Sequence, residues 1–259
     1  MRVVLKIAGG LLLALIVLFL CHILVPLHVY DGFESGGLSR WRWLRMRFEP
    51  GAVASEERVV RAGKRALAIT VHSGDRREAM AGSAPTERAE LMETPWLFSR
   101  TGRTYVYSFS LFLPQDFPQT SERLVLAQWR QLCEAKHCEP DRPILAVRYE
   151  DGRLQVTRQE QDEKVVLYQG AEEVRGRWLD FRFVTRFSAD ATGRIDATLN
   201  GAPIVSYRGT TAFRVAHGYP RNGLVYFKTG LYRDALGEPP WTMYVDEFEK
   251  LQCGNDNCE

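Results

Sequence analysis

Three short stretches put ionisable and amide groups inside otherwise apolar, alternating segments: Glu87-Arg-Ala-Glu-Leu91, Leu126-Ala-Gln-Trp-Arg130 and Tyr226-Phe-Lys-Thr-Gly-Leu-Tyr232. Successive side chains of a strand point to opposite faces. Arg88 and Glu90 therefore share a face against Ala89 and Leu91, and Gln128 and Arg130 share one against Trp129. Tyr226, Lys228, Gly230 and Tyr232 share a third, against Phe227, Thr229 and Leu231. Guanidinium and ammonium groups grip carboxylates, an amide adds directed donors, and a phenol can pass a proton. Brought together, these faces would line a groove for an acidic chain. The same pattern also describes a solvated sheet face bearing salt bridges, and periodicity alone does not choose between the two.

The elements that must carry these groups are strands. Period-2 patterning dominates, and no segment beyond the N-terminal apolar run sustains a 3.6-residue period. Arg65 to His72 alternates, with Leu67, Ile69 and Val71 against Ala66, Ala68, Thr70 and His72, and Thr104 to Leu113 alternates with Tyr105, Tyr107, Phe109 and Leu111 on one face. Further strands are expected over 87–93, 123–130, 143–149, 153–159, 164–169, 178–187, 194–200, 203–207, 223–232 and 242–249. Asp151-Gly152, Asn200-Gly201 and Asn222-Gly223 supply hairpin turns. A dozen short strands at this spacing predict an all-β sandwich or jelly roll. Segments 114–122 and 131–142 read as loops, and Trp129, Trp178 and Trp241 read as core residues.

The 259 residues divide into an expected anchor, 1–27, and one domain, 28–259. Arg2 and Lys6 precede the uncharged run Ile7 to Leu27, about the 20 residues needed to span a bilayer. Basic residues on its short side place the remainder outside the cytoplasm. No small-x-small cleavage site ends the run, which favours a retained single-pass anchor in a bacterial inner membrane over a secreted, cleaved form. His22, within the run, reads as a tolerated interfacial residue. Cys133/Cys138 and Cys253/Cys258 form two local pairs, read as disulfides of an oxidising compartment. A zinc site using His137 is the alternative. A net charge of +2 argues against a polybasic nucleic-acid binder. The basic residues are 28 Arg and 6 Lys, a bias that suits an acidic ligand and also fits a GC-rich genome.

Arg-x-Glu-Leu, then Gln-x-x, then Tyr-Phe-Lys-x-Gly-x-Tyr, in that order, resembles the alginate-lyase jelly rolls. The arrangement is more similar still to the heparin lyase I and glucuronan lyase group of polysaccharide lyases. Asp31-Gly-Phe-Glu-Ser-Gly-Gly-Leu-Ser-Arg-Trp41 resembles the first strand of that group and Met243 to Phe248 its closing strand; Pro143 to Arg148 followed by Asp151 to Leu154 is also similar to it. The resemblance spans about 31–250 and implies a concanavalin-like sandwich. It also implies β-elimination on a uronate-containing polysaccharide, without a cofactor. A structural calcium is compatible with such sandwiches, although no ligand constellation argues for one.

By that resemblance Arg88 and Gln128 hold the uronate carboxylate, with Arg130 assisting. Tyr232 is the acid, and in some relatives also the base. Lys228 and Tyr226 bind the chain, and Glu90 orients Arg88. The departure lies at Arg130, where such lyases carry histidine. A guanidinium stays protonated and cannot be the base. Three outcomes follow: Tyr232 serves as both groups, with its phenolate stabilised by Lys228, Arg88 and Arg130; His72 supplies the base; or the groove binds without turnover, as a lectin-like module. His137 and His217 read as loop residues. Asp246, Glu247 and Glu249 read as rim charges of a closing strand rather than paired glycosidase carboxylates. Oligomeric state and the particular polysaccharide are not readable from the sequence.

Overall fold

The computed structural model describes residues 27–39, 42–46, 51–77, 85–119, 123–133, 138, 142–160, 162–170, 173–214, 216, 218–220, 223–235, 239–254 and 258. The expected anchor, apart from Leu27, lies outside these residues, as do His137, His217 and Asn222. Among the described residues no helix is long and apolar enough to cross a membrane.

Alternating apolar residues on amphipathic strands must be buried against a second layer, and the chain solves this with two antiparallel sheets face to face. The back sheet runs β15 (Ala202–Arg208), β14 (Arg194–Leu199), β13 (Trp178–Arg186), β8 (Thr104–Phe112), β17 (Trp241–Gln252), β4 (Ala66–Val71) and β3 (Val53–Glu56), with β1 (His28–Asp31) also on β17. The front sheet runs β12 (Glu163–Gln169), β11 (Arg153–Glu160), β10 (Leu145–Glu150), β9 (Leu124–Gln131), β16 (Leu224–Asp234), β6 (Thr86–Glu93) and β2 (Trp43–Met46). Two-residue strands β5 (Arg76–Arg77) and β7 (Ser99–Arg100) add to β6 and β16.

The residues expected to face inward do so. Leu67, Ile69, Val71, Tyr105, Tyr107, Phe109, Leu111, Ala89, Leu91, Trp129, Phe227 and Leu231 join one continuous core between the sheets. Trp129 sits at its centre, with Tyr107, Phe183 and Phe227 rings 4.8 to 5.4 Å away. Two hairpin turns form as read: Asp151-Gly152 and Asn200-Gly201 both take the left-handed backbone that tight two-residue loops require.

Both cysteine pairs are disulfides, Cys133–Cys138 and Cys253–Cys258, with Cα separations of 5.9 and 5.3 Å. Sulfurs bonded to each other are not thiolate ligands, so the zinc alternative is overturned at Cys133, Cys138, Cys253 and Cys258 alike.

Four further readings need correction. Asp31 to Ser39, the described part of the Asp31–Trp41 stretch, is not a strand: β1 ends at Asp31 and a turn follows, so the similarity there marks a strand exit. Trp178 does not enter the core; it is half-buried, its ring 5.4 Å from that of half-buried Phe112. Asp246 is no rim charge. It is fully buried and accepts the backbone N–H groups of Arg61 and Ala62 at 2.9 and 3.3 Å. His72 lies just beyond β4, opening a turn rather than extending the strand.

Candidate functional site

Strand register brings the three motifs side by side on the outer face of the front sheet. β16 is central: on one side Tyr232 faces Arg88, Gly230 faces Glu90 and Lys228 faces Met92; on the other, Lys228 faces Gln128 and Tyr226 faces Arg130. Two rows cross the sheet as a result. One runs Ala146, Gln128, Lys228, Met92; the other runs Arg148, Val125, Tyr232, Arg88. The residues assigned from the motifs are thus all on neighbouring strands.

The rows converge because of a bulge. Between Thr229 and Tyr232 the strand carries one residue more than β9 opposite, where only Leu126 lies between Val125 and Ala127. Alternation already puts Tyr232 on the groove face, with Phe227 and Leu231 in the core; the extra residue sets it opposite Val125, in the row of Arg148. Gly230 allows it. Its φ is +137°, and a Cβ there would lie 2.2 Å from the carbonyl oxygen of Ala89. Only glycine fits so close an approach of two backbones.

Glu90 is the hub of the site. Its carboxylate accepts a hydrogen bond from Gln128 Nε2 and pairs with Lys228 Nζ at 3.5 Å and Arg88 at 3.7 Å. Glu90, Gln128 and Lys228 are almost completely buried, and Arg88 nearly so. Burial holds the Lys228 ammonium below the usual lysine range; Glu90 opposes that shift, while Arg130 and Arg88 reinforce it. Among the described residues, Gln128 Oε1 and Arg88 Nε are buried without a hydrogen-bond partner. Unused capacity of this kind, in a row of charged groups beside solvent, is what an incoming polar ligand can satisfy.

Tyr232 is flanked by two cations, the expected Arg88 and, unforeseen, Arg123. The guanidinium carbons of Arg88 and Arg123 lie 4.4 and 5.0 Å from its ring centroid. Arg123 is held by Asp234. Lys228 instead turns to Glu90 and lies 5.9 Å from the Tyr226 ring. Arg148 completes the Tyr232 row from β10, its Nε donating to Thr157 at 3.0 Å and its tip 3.5 Å from Glu150. Burial lowers the affinity of Arg148 for its proton, while Glu150 and the nearby Tyr232 oppose that effect. The motif reading missed both arginines. Arg148 carries the same signal as Arg88, a charge between inward Val147 and Tyr149, and the same alternation test finds it.

The turn that carries His72 is fastened to β6 beside Arg88. Asp75 O accepts the Arg88 N–H at 3.1 Å, and Glu87 accepts the Gly74 N–H at 2.8 Å. Asp75 also accepts the His72 backbone N–H at 2.7 Å and lies 3.4 Å from His72 Nδ1. The imidazole is two-fifths exposed, with its Nδ1 side toward Asp75. Among the described residues no group of three or more His, Cys, Asp or Glu side chains could hold a metal ion.

The four paired cysteines stand apart from these rows. Cys133 lies just past the end of β9, and Cys138 is buried with the core. Cys253 and Cys258 pack with Val106 and Val184 of the back sheet, where Arg182 donates to the Cys258 carbonyl at 3.2 Å. Both bridges fasten strand exits and neither contributes a group to the groove.

Fold and face together define a jelly-roll sandwich whose front sheet presents a cation-rich polar face around one tyrosine. The family model described as "Polysaccharide lyase" matches residues 33–249, and the chain belongs to that family. No curated protein sequence matches significantly. Among solved structures the chain is similar to an endo-β-1,4-glucuronan lyase from the fungus Trichoderma reesei, with a TM-score of 0.66 and 18% identity over 88% of this chain and 96% of that one. It is also similar to alginate lyase A1-II′ of polysaccharide lyase family 7, with a TM-score of 0.58 and 14% identity over 83% and 96%. A third is the cellulose-induced protein Cip1, with a TM-score of 0.55 and 14% identity over 87% and 100%. At these identities the likenesses establish the concanavalin-like jelly-roll fold.

Proposed function

We propose that this protein is a lyase that cleaves a uronate-containing polysaccharide by β-elimination on the outer face of the front sheet. The observation that carries the reading is the row Arg148, Val125, Tyr232, Arg88, with Gln128 and Glu90 one step along the groove. The C5 proton of a uronate leaves only when its carboxylate, and the enediolate that grows from it, is neutralised. Arg88 and Gln128 supply that clamp, Glu90 fixes their orientation, and Arg148 and Arg123 add positive field. Tyr232 then protonates the departing glycosidic oxygen.

Two routes supply the base. Tyr232 serves as both groups, helped by the guanidinium groups stacked on its ring. Alternatively His72, with Asp75 at Nδ1, takes the C5 proton through Nε2. Glucuronan and alginate, named for the structural neighbours, are the first substrates to test. The expected product is a C4–C5 unsaturated uronate, followed by its ultraviolet absorbance. Absence of that signal across glucuronan, alginate, pectate and heparinoids would overturn the reading.

A second reading, a binding module without turnover, is favoured by Arg130 standing where histidine is expected. Tyr232→Phe separates the two, since a binding module has no turnover to lose. We further propose that the apolar run 7–27 tethers the domain to the outer face of a bacterial inner membrane, with release after cleavage as the alternative. The uncharged run and the two disulfides support this; membrane fractionation before and after alkaline wash tests it.

A further inference from the structure

The strand that carries the site has a break in its hydrogen-bonded ladder. β6 follows β16 only as far as Lys228, opposite Met92, and β7 resumes at Val225, opposite Ser99. Between them Pro95 leads a one-turn 3-10 helix, Pro95–Leu97, that takes the chain out of the sheet. The N–H of buried Phe227 would lose its partner there, and a buried donor must find one. It donates to Glu93 Oε1 at 3.0 Å.

Glu93 points inward and is completely buried. Lys250, equally buried on β17 of the back sheet, donates to its two carboxylate oxygens at 3.0 and 2.8 Å and also to the carbonyl of Leu97. The Tyr107 and Tyr105 rings lie 4.9 and 5.4 Å from the ammonium, and Tyr107 is hydrogen-bonded to Ser99 at 2.6 Å. One ion pair thus ties three things together: β16 between Tyr226 and Lys228, the 95–97 turn, and the back sheet. Phe98, the residue after that turn, stacks on Tyr226 at 5.3 Å. A buried ion pair commonly adds no more stability than apolar residues of the same size. What this one provides is a fixed geometry at one end of the groove. The Tyr232 end has its own fastening, Glu87 with Arg233.

We propose that Glu93 and Lys250 form a positioning pair that sets the chain-binding end of the groove, Tyr226, Phe98 and Lys228, separately from the acid–base end at Tyr232. This rests on the lyase reading for its kinetic test. Glu93→Leu/Lys250→Met removes the acceptor for Phe227 without stranding a charge. Glu93→Gln/Lys250→Met removes the charges but keeps an acceptor. The leucine variant should raise KM for glucuronan about tenfold with kcat within about twofold, and the glutamine variant should restore KM. Unchanged KM, or an equal fall in kcat in both variants, overturns the proposal.

A second measurement needs neither activity nor a variant that folds. In the 15N-labelled protein the Phe227, Tyr226 and Lys228 amide signals should move together as pH is taken from about 5 to 9, because the Glu93 carboxyl group titrates against Lys250 beside Tyr105 and Tyr107. The Tyr232 amide should stay still over the same step. Signals that do not move, or that move equally at Tyr232, overturn the proposal even where no polysaccharide is cleaved.

Discussion

The two faces of β6 handle the same residue type in opposite ways. Inward, Glu87 and Glu93 are each closed by one cation, Arg233 and Lys250, and both pairs are completely buried. Outward, a single carboxylate, Glu90, serves Arg88, Gln128 and Lys228 together. Inside, charge is balanced one to one, as burial in a low-dielectric interior demands. Outside, two cations, Arg88 and Lys228, share the one carboxylate of Glu90, while Arg148 and Arg123 beside Tyr232 are held by Glu150 and Asp234. The inner face fixes the strand. On the proposed reading, the outer face is the one an acidic chain neutralises.

The comparison can be broken at several points. Tyr232→Phe removes the group assigned to protonate the departing oxygen; turnover to the unsaturated product should fall by about two to four orders of magnitude, while chain affinity by calorimetry stays close to wild type. Glu93→Ala and Glu90→Ala each leave a lysine behind, but in different settings. The inner variant should lose about 3–5 kcal/mol of unfolding free energy in urea. The outer one should lose less, and added polyuronate should raise its Tm more than it raises the wild type's. Equal losses that ligand does not relieve would erase the distinction between the faces.

Gly230→Ala tests the bulge that sets Tyr232 opposite Val125. Its Cβ would meet the Ala89 carbonyl at 2.2 Å, so a cost of about 1–3 kcal/mol is expected, with loss of turnover beyond what the lower Tm explains.

A smaller effect comes from pH. Burial, only partly offset by Lys250, raises Glu93 from 4.5 to about 7. The unfolded chain gives up that proton first, so the stability this group contributes is full below about 4.5 and is lost as pH rises through about 7. The Glu93 carboxyl 13C signal should titrate near 7, and Lys250→Met should move its midpoint higher. Smallest of all, raising salt from 0.05 to about 0.5 M should weaken polyuronate binding through the outer surplus of cations, leaving the inner pairs untouched.

Much of this was legible from residue order. Alternation placed Arg88, Glu90, Gln128, Arg130, Lys228 and Tyr232 on outward faces because the side-chain period of a strand is two whatever its partners. It placed the core residues for the same reason, and the glycine turns marked two of the hairpins. Cysteine spacing marked both bridges, Cys133–Cys138 and Cys253–Cys258, because each pair is local. The short strands β1, β2, β3, β5 and β7 were not legible, since two to four residues are too few to show a period. Asp246 looked like a rim charge because its partners, the Arg61 and Ala62 amides, come from a loop some 185 residues away.

What the sequence determined by itself is local: an all-β chain, its inward and outward residues, and a tyrosine strand rich in cations. What tertiary structure decided is which cations meet which groups. Arg123 and Arg88, not Lys228, stack on Tyr232. Lys228 belongs to Glu90, and Lys250 crosses from the other sheet to hold Phe227 through Glu93. Those contacts depend on strand order, register and one bulge. Strand order and register are long-range properties, set by how two sheets close on one core, and no spacing along the chain encodes them.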